Sequence, residues 1–252
     1  MFAGKLTFRR TAVHEQNVVP GMATRLLSRF VDVVCISFER TEKYLPRAKG
    51  KTVVTGSPLR KDVVSYFDGD IERDDQSLNM LVTGGSLGAH FLSVAVPDAL
   101  AALSENLRGK IRISHQARPE DVGDVVKAYE QAGVSAEVVP FFDNMKEKIF
   151  QAHVVVARPG TSTLLEVSLA GRAAIYIPHE MADGHQVANG EVVRDAGAGI
   201  LFRQAELEGS ELLQNAIQSL LEDSGERSRL EKAAKAFAQR DGAEQFADCI
   251  LR

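Results

Sequence analysis

Residues 79–89 read NMLVTGGSLGA, an apolar strand-like run that leads directly into a glycine-rich turn. This pattern predicts a strand over 80–83 and a helix over 89–103, joined by the glycines. In such a junction, backbone N–H groups and the positive end of the helix can approach a phosphate. The turn is neither a Walker A loop nor a GxGxxG dinucleotide fingerprint. It therefore indicates an anion site without naming the ligand, and a tight turn kept for packing is the alternative.

The chain on the carboxyl side of this turn alternates strands with helices. Because such alternation forms right-handed βαβ units, it predicts an α/β fold with a Rossmann-like parallel sheet. Ligands of such sheets bind beyond the carboxyl ends of the strands, so the loops that follow strands are the candidate sites. The later strands are predicted at 111–114, 136–140, 154–157, 174–177 and 199–202, and the last helices at 211–221 and 225–251.

The amino-terminal part has shorter elements. Strands are predicted at 11–13, 31–37 and 53–55, with a helix over 21–30 between the first two. The following stretch, 62–77, is acidic and has little apolar content, which is typical of a linker or a domain boundary.

The composition is that of an ordinary globular protein, with 252 residues, 44% hydrophobic and 25% charged. The net charge of −4 argues against nucleic-acid binding. No apolar run reaches the roughly 18 residues needed to span a bilayer, so we predict a cytoplasmic location. Residues 1–50 carry a net charge of +5 and the remainder −9. The basic segment could therefore lie on an anionic membrane surface, and a solvated basic face is the simpler alternative.

The two cysteines, Cys35 and Cys249, lie far apart in the sequence and form no CxxC pair. This spacing argues against a disulfide framework and against a zinc site. We expect two buried thiols in a reducing compartment.

Two loops that follow predicted strands carry candidate ligand-binding residues. In residues 158–166, RPGTSTLLE, Thr163 and Glu166 fit the S/T-x-x-E capping box. Alternatively, the Glu166 carboxylate could accept hydrogen bonds from both hydroxyls of a ribose. In the next loop, Gln186 and Asn189 are three residues apart and share a helical face. Their amides suit sugar hydroxyls, and a polar surface turn is the alternative.

Two segments match the start of known catalytic motifs but lack the remaining residues. Residues 14–17 read HEQN, but the next residue is valine, which excludes an HExxH zinc site. Residues 84–88 also fit the G-x-S-x-G nucleophile elbow, with Ser86 as nucleophile. A hydrolase of that type needs an acid and a histidine on two separate later loops. His153 lies at the start of a predicted strand, and the acid and histidine of residues 183–185 share one loop, so we disfavour this interpretation.

Six segments form an ordered set that covers nearly the whole chain. They are HEQN with Pro20 and Gly21, GSPLR at 56–60, GGSLGA at 84–89, FFDNM at 141–145, RPG at 158–160 with Ser162, Thr163 and Glu166, and DGHQ at 183–186 with Asn189. Any one of them is weak, but the ordered set is specific. It resembles the family of N-acetylglucosaminyltransferases that form lipid II from lipid I in bacterial peptidoglycan synthesis.

The resemblance implies a GT-B glycosyltransferase, which has two Rossmann-like lobes with a cleft between them. It implies a complete C-terminal UDP-sugar-binding domain over 78–252, a linker over 61–77, and a remnant of the N-terminal acceptor-side lobe over 1–60. The last helix could pack back on the N-terminal lobe. The family's Gly-Gly-Thr-Gly-Gly-His loop has no counterpart here. The histidine usually discussed as the general base is therefore missing, and the catalytic residue is left unassigned.

The resemblance also implies roles in binding UDP-N-acetylglucosamine. Arg60 and the Ser86 loop would hold the diphosphate, and Phe142 would contact uracil, largely through its backbone. Glu166 would accept hydrogen bonds from the ribose hydroxyls, and Gln186, with His185, would bind the sugar hydroxyls. No metal and no cofactor are implied. The implied donor-site residues are Arg60, Gly85, Ser86, Phe142, Met145, Thr163, Glu166, His185, Gln186 and Asn189, and the implied acceptor-side residues are His14, Glu15 and Asn17.

The implied activity is that of a hexosyltransferase of cell-wall biogenesis, with consequences for cell shape and cell division. It would transfer N-acetylglucosamine to undecaprenyl-diphospho-N-acetylmuramoyl-pentapeptide (lipid I). The implied partners are the donor, lipid I, the cytoplasmic membrane surface and other cell-wall synthesis proteins, with no nucleic acid. The implied location is peripheral, on the inner face of the cell membrane. Two alternatives are a UDP-sugar-binding subunit that needs a separate acceptor lobe, and an inactive chain.

Overall fold

The structure is a computed structural model that describes residues 10–68, 77–85, 89–179, 184–209 and 211–251. Within them lie a small parallel sheet and a larger one. The α/β fold with parallel, Rossmann-like sheets predicted from the sequence is confirmed. No helix of the described part is long and apolar enough to cross a membrane.

The small sheet is built from the amino-terminal part of the chain. Its strands are β1 (Ala12–Glu15), β2 (Val33–Ile36) and β3 (Thr52–Val54), in the order β1-β2-β3. Every residue of the central strand β2 is buried, as expected for a continuous apolar run in a parallel sheet. Helix α1 (Met22–Leu27) connects β1 to β2, and two short 3-10 turns precede β3.

The larger sheet has six parallel strands and holds the core of the molecule. Strand β4 lies near its centre, with neighbours on either side that connect in opposite directions along the sheet. This reversal is the switch point at which open α/β sheets bind ligands. The strands are β4 (Leu78–Thr83), β5 (Ile111–Gln116), β6 (Ser135–Val139), β7 (Val154–Ala157), β8 (Ala173–Tyr176) and β9 (Ile200–Leu201), in the order β6-β5-β4-β7-β8-β9.

Helices cover both faces of the larger sheet. Successive side chains of β4 enter different cores: Met80 and Val82 pack on one face and Leu81 on the other. The helices are α2 (Lys61–Phe67), α3 (His90–Ala101), α4 (Glu105–Arg108), α5 (Val122–Ala132), α6 (Met145–Gln151), α7 (Thr161–Ala170), α8 (His185–Asp195), α9 (Gln204–Leu207), α10 (Leu212–Glu222), α11 (Ser224–Phe237) and α12 (Gly242–Leu251).

The segment expected to be a linker begins with a packed helix. Val63 and Phe67 of α2 are buried in the core of the larger sheet because their apolar side chains are four residues apart and share one helical face. Residues 69–76 lie outside the described part of the chain.

The single helix predicted over 225–251 is wrong, because the chain forms α11 and α12 with a break at 238–241. Helix α11 packs against α7 and β8 of the larger sheet, whereas α12 contacts β2 of the small sheet. At the break, Gln239 Nε2 donates a hydrogen bond to the Ser37 carbonyl oxygen at 2.7 Å. The chain therefore crosses between the two sheets at this point.

Candidate functional site

A cavity of about 800 Å³ opens beyond the carboxyl ends of β4, β7 and β8. Its position at the switch point agrees with the general rule for ligand binding to such sheets. Glycines and hydroxyl side chains make up much of its wall. The lining residues are Gly84, Gly85, Ala89, His90, Phe91, Arg118, Arg158, Gly160, Thr161, Ser162, Thr163, His179, Gln186 and Gln204.

A second, smaller cavity of about 170 Å³ adjoins the first. Gly85 and Thr163 line both cavities, so the two form one continuous depression. The smaller one is mostly apolar, with a single carboxylate in its wall. Its lining residues are Thr83, Gly85, Gln116, Phe141, Phe142, Met145, Ile149, Thr163 and Glu166. Four residues predicted separately for uracil, ribose and donor binding, namely Phe142, Met145, Thr163 and Glu166, are thus brought together.

Two helix N-termini converge on the larger cavity. Helix α3 begins after Ala89 and helix α7 after Gly160, and no described side chain caps either N-terminus. Their first-turn N–H groups and partial positive charges favour an anion between them. Gly85 has φ of +78°, which side-chain-bearing residues rarely adopt, and its N–H donates to Thr83 Oγ1 at 3.1 Å. The predicted Ser86 lies outside the described residues.

Glu166 is not a helix cap. The N-cap of α7 is Gly160, so Thr163 and Glu166 already lie inside the helix and the capping-box interpretation is wrong. Partial burial raises the pKa of the Glu166 carboxyl above its ordinary value, and nearby Asp62 adds to the effect while Arg60 opposes it. Among the described residues, none donates a hydrogen bond to this carboxylate. Glu166 therefore lines the smaller cavity, and no described residue uses its acceptor oxygens.

Arg60 lies at the edge of this depression, at the N-cap of α2. Its side chain is 78% exposed, and its Nε lies 3.6 Å from Asp62 Oδ1. It lines neither cavity but is close enough to act on the charge of Glu166.

Arg158 is a site residue for which sequence reasoning assigned no role. It is buried at the carboxyl end of β7, where its Nη1 donates to the Ile177 carbonyl oxygen at 2.7 Å. Its guanidinium also lies over the Phe91 ring, 5.9 Å from the centroid. Arg158 thereby joins the end of β8 to the start of α3 across the cavity wall. Its position directly after a strand was the signal that could have identified it.

Gln116 was also missed, although it ends β5 next to the glycine turn. Its Oε1 accepts a hydrogen bond from Thr83 Oγ1 at 2.8 Å, and its Nε2 donates to the Pro140 carbonyl oxygen at 3.3 Å. This pair of bonds fixes the polar end of the smaller cavity.

Of the predicted polar residues at the start of α8, only Gln186 lines a cavity described above. Gln186 lines the larger cavity, and its Oε1 accepts the His179 N–H at 2.8 Å. His185 lies away from both cavities, with Nδ1 2.6 Å from the Val19 carbonyl oxygen. Asn189 is fully buried and lines neither cavity. Its Oδ1 accepts the Val18 N–H at 3.0 Å, so Asn189 holds the amino-terminal loop against the larger domain.

The three predicted acceptor-side residues are all engaged inside the protein. His14 Nε2 lies 2.9 Å from the Gly56 carbonyl oxygen. Buried Glu15 accepts the Asn17 N–H at 3.0 Å and the Gly21 N–H at 3.1 Å. Asn17 Oδ1 accepts hydrogen bonds from Thr161 Oγ1 at 2.9 Å and from Asn189 Nδ2 at 3.1 Å. The HEQN segment therefore forms a junction between the two sheets.

In the described part of the chain, no group of three or more His, Cys, Asp or Glu residues is arranged to hold a metal ion.

Comparisons with known proteins agree with this geometry. An N-acetylglucosamine transferase of Geobacter sulfurreducens, named for UDP-N-acetylglucosamine and N-acetylmuramyl-(pentapeptide) pyrophosphoryl-undecaprenol, is 38% identical over 94% of this chain and 65% of its own length. The Phenylobacterium zucineum protein of the same name is 35% identical over 99% of this chain and 69% of its own length. The chain thus spans about two thirds of the length of these curated relatives.

Solved structures show the same fold. The crystal structure of Acinetobacter baumannii MurG superposes with a TM-score of 0.81 at 29% identity, covering 99% of this chain and 70% of that one. Anabaena Alr3699/HepE in complex with UDP has a TM-score of 0.64 at 16% identity, covering 99% of this chain and 74% of that one, and supports the fold alone. The C-terminal domain of glycosyltransferase family 28 matches residues 79–246. The resemblance found in the ordered motifs is confirmed, and the chain belongs to glycosyltransferase family 28.

Proposed function

We propose that this chain binds UDP-N-acetylglucosamine in the two adjoining cavities. The observation that carries the proposal is their continuity at Gly85 and Thr163, with an apolar pocket on one side and a polar one on the other. A nucleotide sugar has a similar division, because it joins a planar base, which can stack on apolar side chains, through ribose and a charged diphosphate to a polar sugar. The ligand would lie with uracil in the smaller cavity and the sugar in the larger one.

The diphosphate would lie between the N-termini of α3 and α7. Backbone N–H groups and the helix dipoles would neutralise its charge there. Arg60, exposed at the edge of the depression, would approach the same charge. Glu166 would accept hydrogen bonds from the ribose hydroxyls, because its carboxylate offers only acceptors and has no described donor of its own. Gln186 would meet the sugar hydroxyls.

We further propose that the donor sugar is transferred to the muramyl-pentapeptide lipid named in the relatives (lipid I), which would make the chain a hexosyltransferase of peptidoglycan synthesis. The acceptor hydroxyl would attack the anomeric carbon directly as UDP departs, and the two helix N-termini with Arg60 would stabilise the departing diphosphate. His14, Glu15 and Asn17 remain the proposed acceptor-side residues. The general base stays unassigned, because His14 is already bonded to Gly56.

A turnover assay tests the proposed reaction. The full chain would be incubated with UDP-N-acetylglucosamine and a short-chain lipid I analogue, and release of UDP and formation of the disaccharide would be followed. Disaccharide formation supports the transferase. Saturable donor binding without disaccharide would instead identify a UDP-sugar-binding subunit. That second function is favoured by one observation, namely that the side chains of His14, Glu15 and Asn17 form internal hydrogen bonds.

We propose a peripheral membrane location from the surface of α1 and the turn after it. Met22, Leu26 and Phe30 are 88%, 55% and 45% exposed, and the neighbouring Arg25 and Arg29 are exposed basic residues. An apolar stripe flanked by basic side chains suits the interface of an anionic bilayer. The inner face of the cell membrane, where other cell-wall synthesis proteins would also be encountered, is the proposed location.

Vesicle co-sedimentation tests this location. Met22→Glu should lower the fraction bound to phosphatidylglycerol-containing vesicles several-fold, because it places a negative charge in the contact. Leu212→Glu is the matched control. Leu212 is 44% exposed on α10, beside the larger sheet, so this substitution should leave vesicle binding unchanged. Equal losses in both variants, or equal binding to neutral vesicles, would contradict the proposal.

A further inference from the structure

The two cysteines, which are 214 residues apart in the sequence, meet in the fold. Their Sγ atoms lie 3.3 Å apart, and both thiols are free. Cys35 is buried in the centre of β2, whereas Cys249 is partly exposed on α12. The expectation of two buried thiols is thus wrong for Cys249. The contact between the two cysteines could not be predicted from their separation in the sequence.

The contact is held by the packing of α12 on one face of the small sheet. The register of β1 on β2 places His14 beside Cys35. Phe246, one helical turn before Cys249, packs edge-on against the His14 ring at 5.1 Å between centroids. At the start of the helix, Gly242 approaches the Ser57 backbone so closely that a Cβ would collide with it. The helix is therefore positioned at both ends, and its last turn presents Cys249 to Cys35.

We propose that Cys35 and Cys249 form a redox modification site that closes to an intramolecular disulfide in the presence of a low-molecular-weight disulfide. The Cys249 thiolate attacks one sulfur of that disulfide, forms a mixed disulfide and releases one thiolate. The Cys35 thiol then loses its proton and attacks the Cys249 sulfur, which releases the second thiolate. In total, two protein thiols are oxidised to one disulfide, and one small disulfide is reduced to two thiols that take up the two protons.

The order of these steps follows from accessibility. Only Cys249 is reachable from solvent, because Cys35 is completely buried. Burial, together with the neighbouring Cys249 thiol, raises the pKa of Cys35 to about 12, so Cys35 is protonated at neutral pH. A thiol of high pKa is also a poor leaving group in thiol–disulfide exchange. The closed disulfide should therefore re-open slowly when a reductant attacks the exposed Cys249 sulfur.

Closure would fix α12 on the small sheet. In the reduced chain, packing and the hydrogen bond from Gln239 help to hold this helix. In the oxidised chain, a covalent bond would join β2 to the last helix and restrict the unfolded state. Because the cavities lie in the other sheet, the inference is independent of the proposed donor binding.

The test uses the purified reduced chain incubated with oxidised glutathione under native conditions. Intact mass should show the loss of two hydrogens, and maleimide labelling after denaturation should show the loss of both thiols; dithiothreitol should reverse both changes. The oxidised chain should melt about 5 °C or more above the reduced chain. Cys35→Ser and Cys249→Ser are the matched controls, and oxidised glutathione should not raise the Tm of either.

Several outcomes would overturn the proposal. These are two thiols that still react with maleimide after denaturation, a stable mixed disulfide without closure, a disulfide between two chains, or closure without a rise in Tm. The mass measurement needs no variant, so the proposal stays testable even if a serine substitution prevents folding.

Discussion

Two glutamates show how the two parts of the molecule differ. Glu15 ends β1 in the small sheet, is buried, and accepts N–H hydrogen bonds from Asn17 and Gly21. Glu166 lies on α7 beside the larger sheet, lines a cavity and receives no hydrogen bond from any described residue. The same type of side chain therefore holds a loop in one place, whereas in the other no described residue occupies its acceptors. Satisfied polar groups stabilise a fold, whereas unsatisfied ones facing a cavity are available to a ligand.

The largest expected effect is on stability at Glu15. Glu15→Ala should lower the free energy of unfolding by about 3 kcal/mol, because it leaves partly buried N–H groups of Asn17 and Gly21 without acceptors. Urea unfolding followed by circular dichroism measures the change. Glu166→Ala is the matched control and should stay within about 0.5 kcal/mol of the parent chain. Equal losses in the two variants would remove the distinction between the two glutamates.

The second effect is on binding at Glu166. Glu166→Ala should weaken UDP-N-acetylglucosamine binding by about 1–3 kcal/mol, because the ribose hydroxyls lose their acceptor. Calorimetric titration of the folded variant measures this loss. Folded Glu15→Ala protein, assayed below its melting temperature, should bind UDP-N-acetylglucosamine with an affinity closer to that of the parent chain than Glu166→Ala does. An unchanged affinity in Glu166→Ala would show that the carboxylate does not hold the ribose.

The smallest effect is a pH dependence set by Glu166. Partial burial raises its pKa above the ordinary value of 4.5, so the folded chain binds this proton more tightly than the unfolded chain does. This contribution to stability is present below pH 4.5 and is lost as the pH rises through the raised pKa. Donor affinity should change in the opposite sense, because only the ionised carboxylate is a full acceptor.

Titrations of Glu166→Gln alongside the parent chain isolate this trend. The difference in affinity between the two proteins should shrink as the pH falls through the Glu166 pKa. A constant difference across that range would assign the pH dependence to another group.

Local patterns predicted most of the larger domain. The alternation of strands and helices indicated its sheet, because the spacing of apolar residues in the sequence shows whether a buried segment is a strand or a helix. The glycine turn after β4 and the loop after β7 were correctly placed at one end of that sheet, since parallel strands bring their carboxyl ends together. The sequence left Glu166 open between a helix cap and a ligand-binding residue; the observed N-cap at Gly160 rules out the cap, and the binding role stays a prediction.

Contacts between distant segments could not be predicted from the sequence. The meeting of Cys35 with Cys249 depends on how α12 crosses to the small sheet, which no local pattern records. The internal use of Asn17 and Asn189 likewise depends on the docking of the amino-terminal loop against α8. The break between α11 and α12 had one signal, Gly242, which was overlooked within a long run of helix-forming residues.

The most direct test of the central claim is a calorimetric titration of the folded chain with UDP-N-acetylglucosamine, UDP-glucose and UDP. The two adjoining cavities predict saturable binding at one site per chain, with UDP alone retaining much of the affinity and UDP-N-acetylglucosamine binding more tightly than UDP-glucose. A folded, cooperatively melting sample that binds none of the three would contradict the account, because the pocket between α3 and α7 would then not be a nucleotide-sugar site.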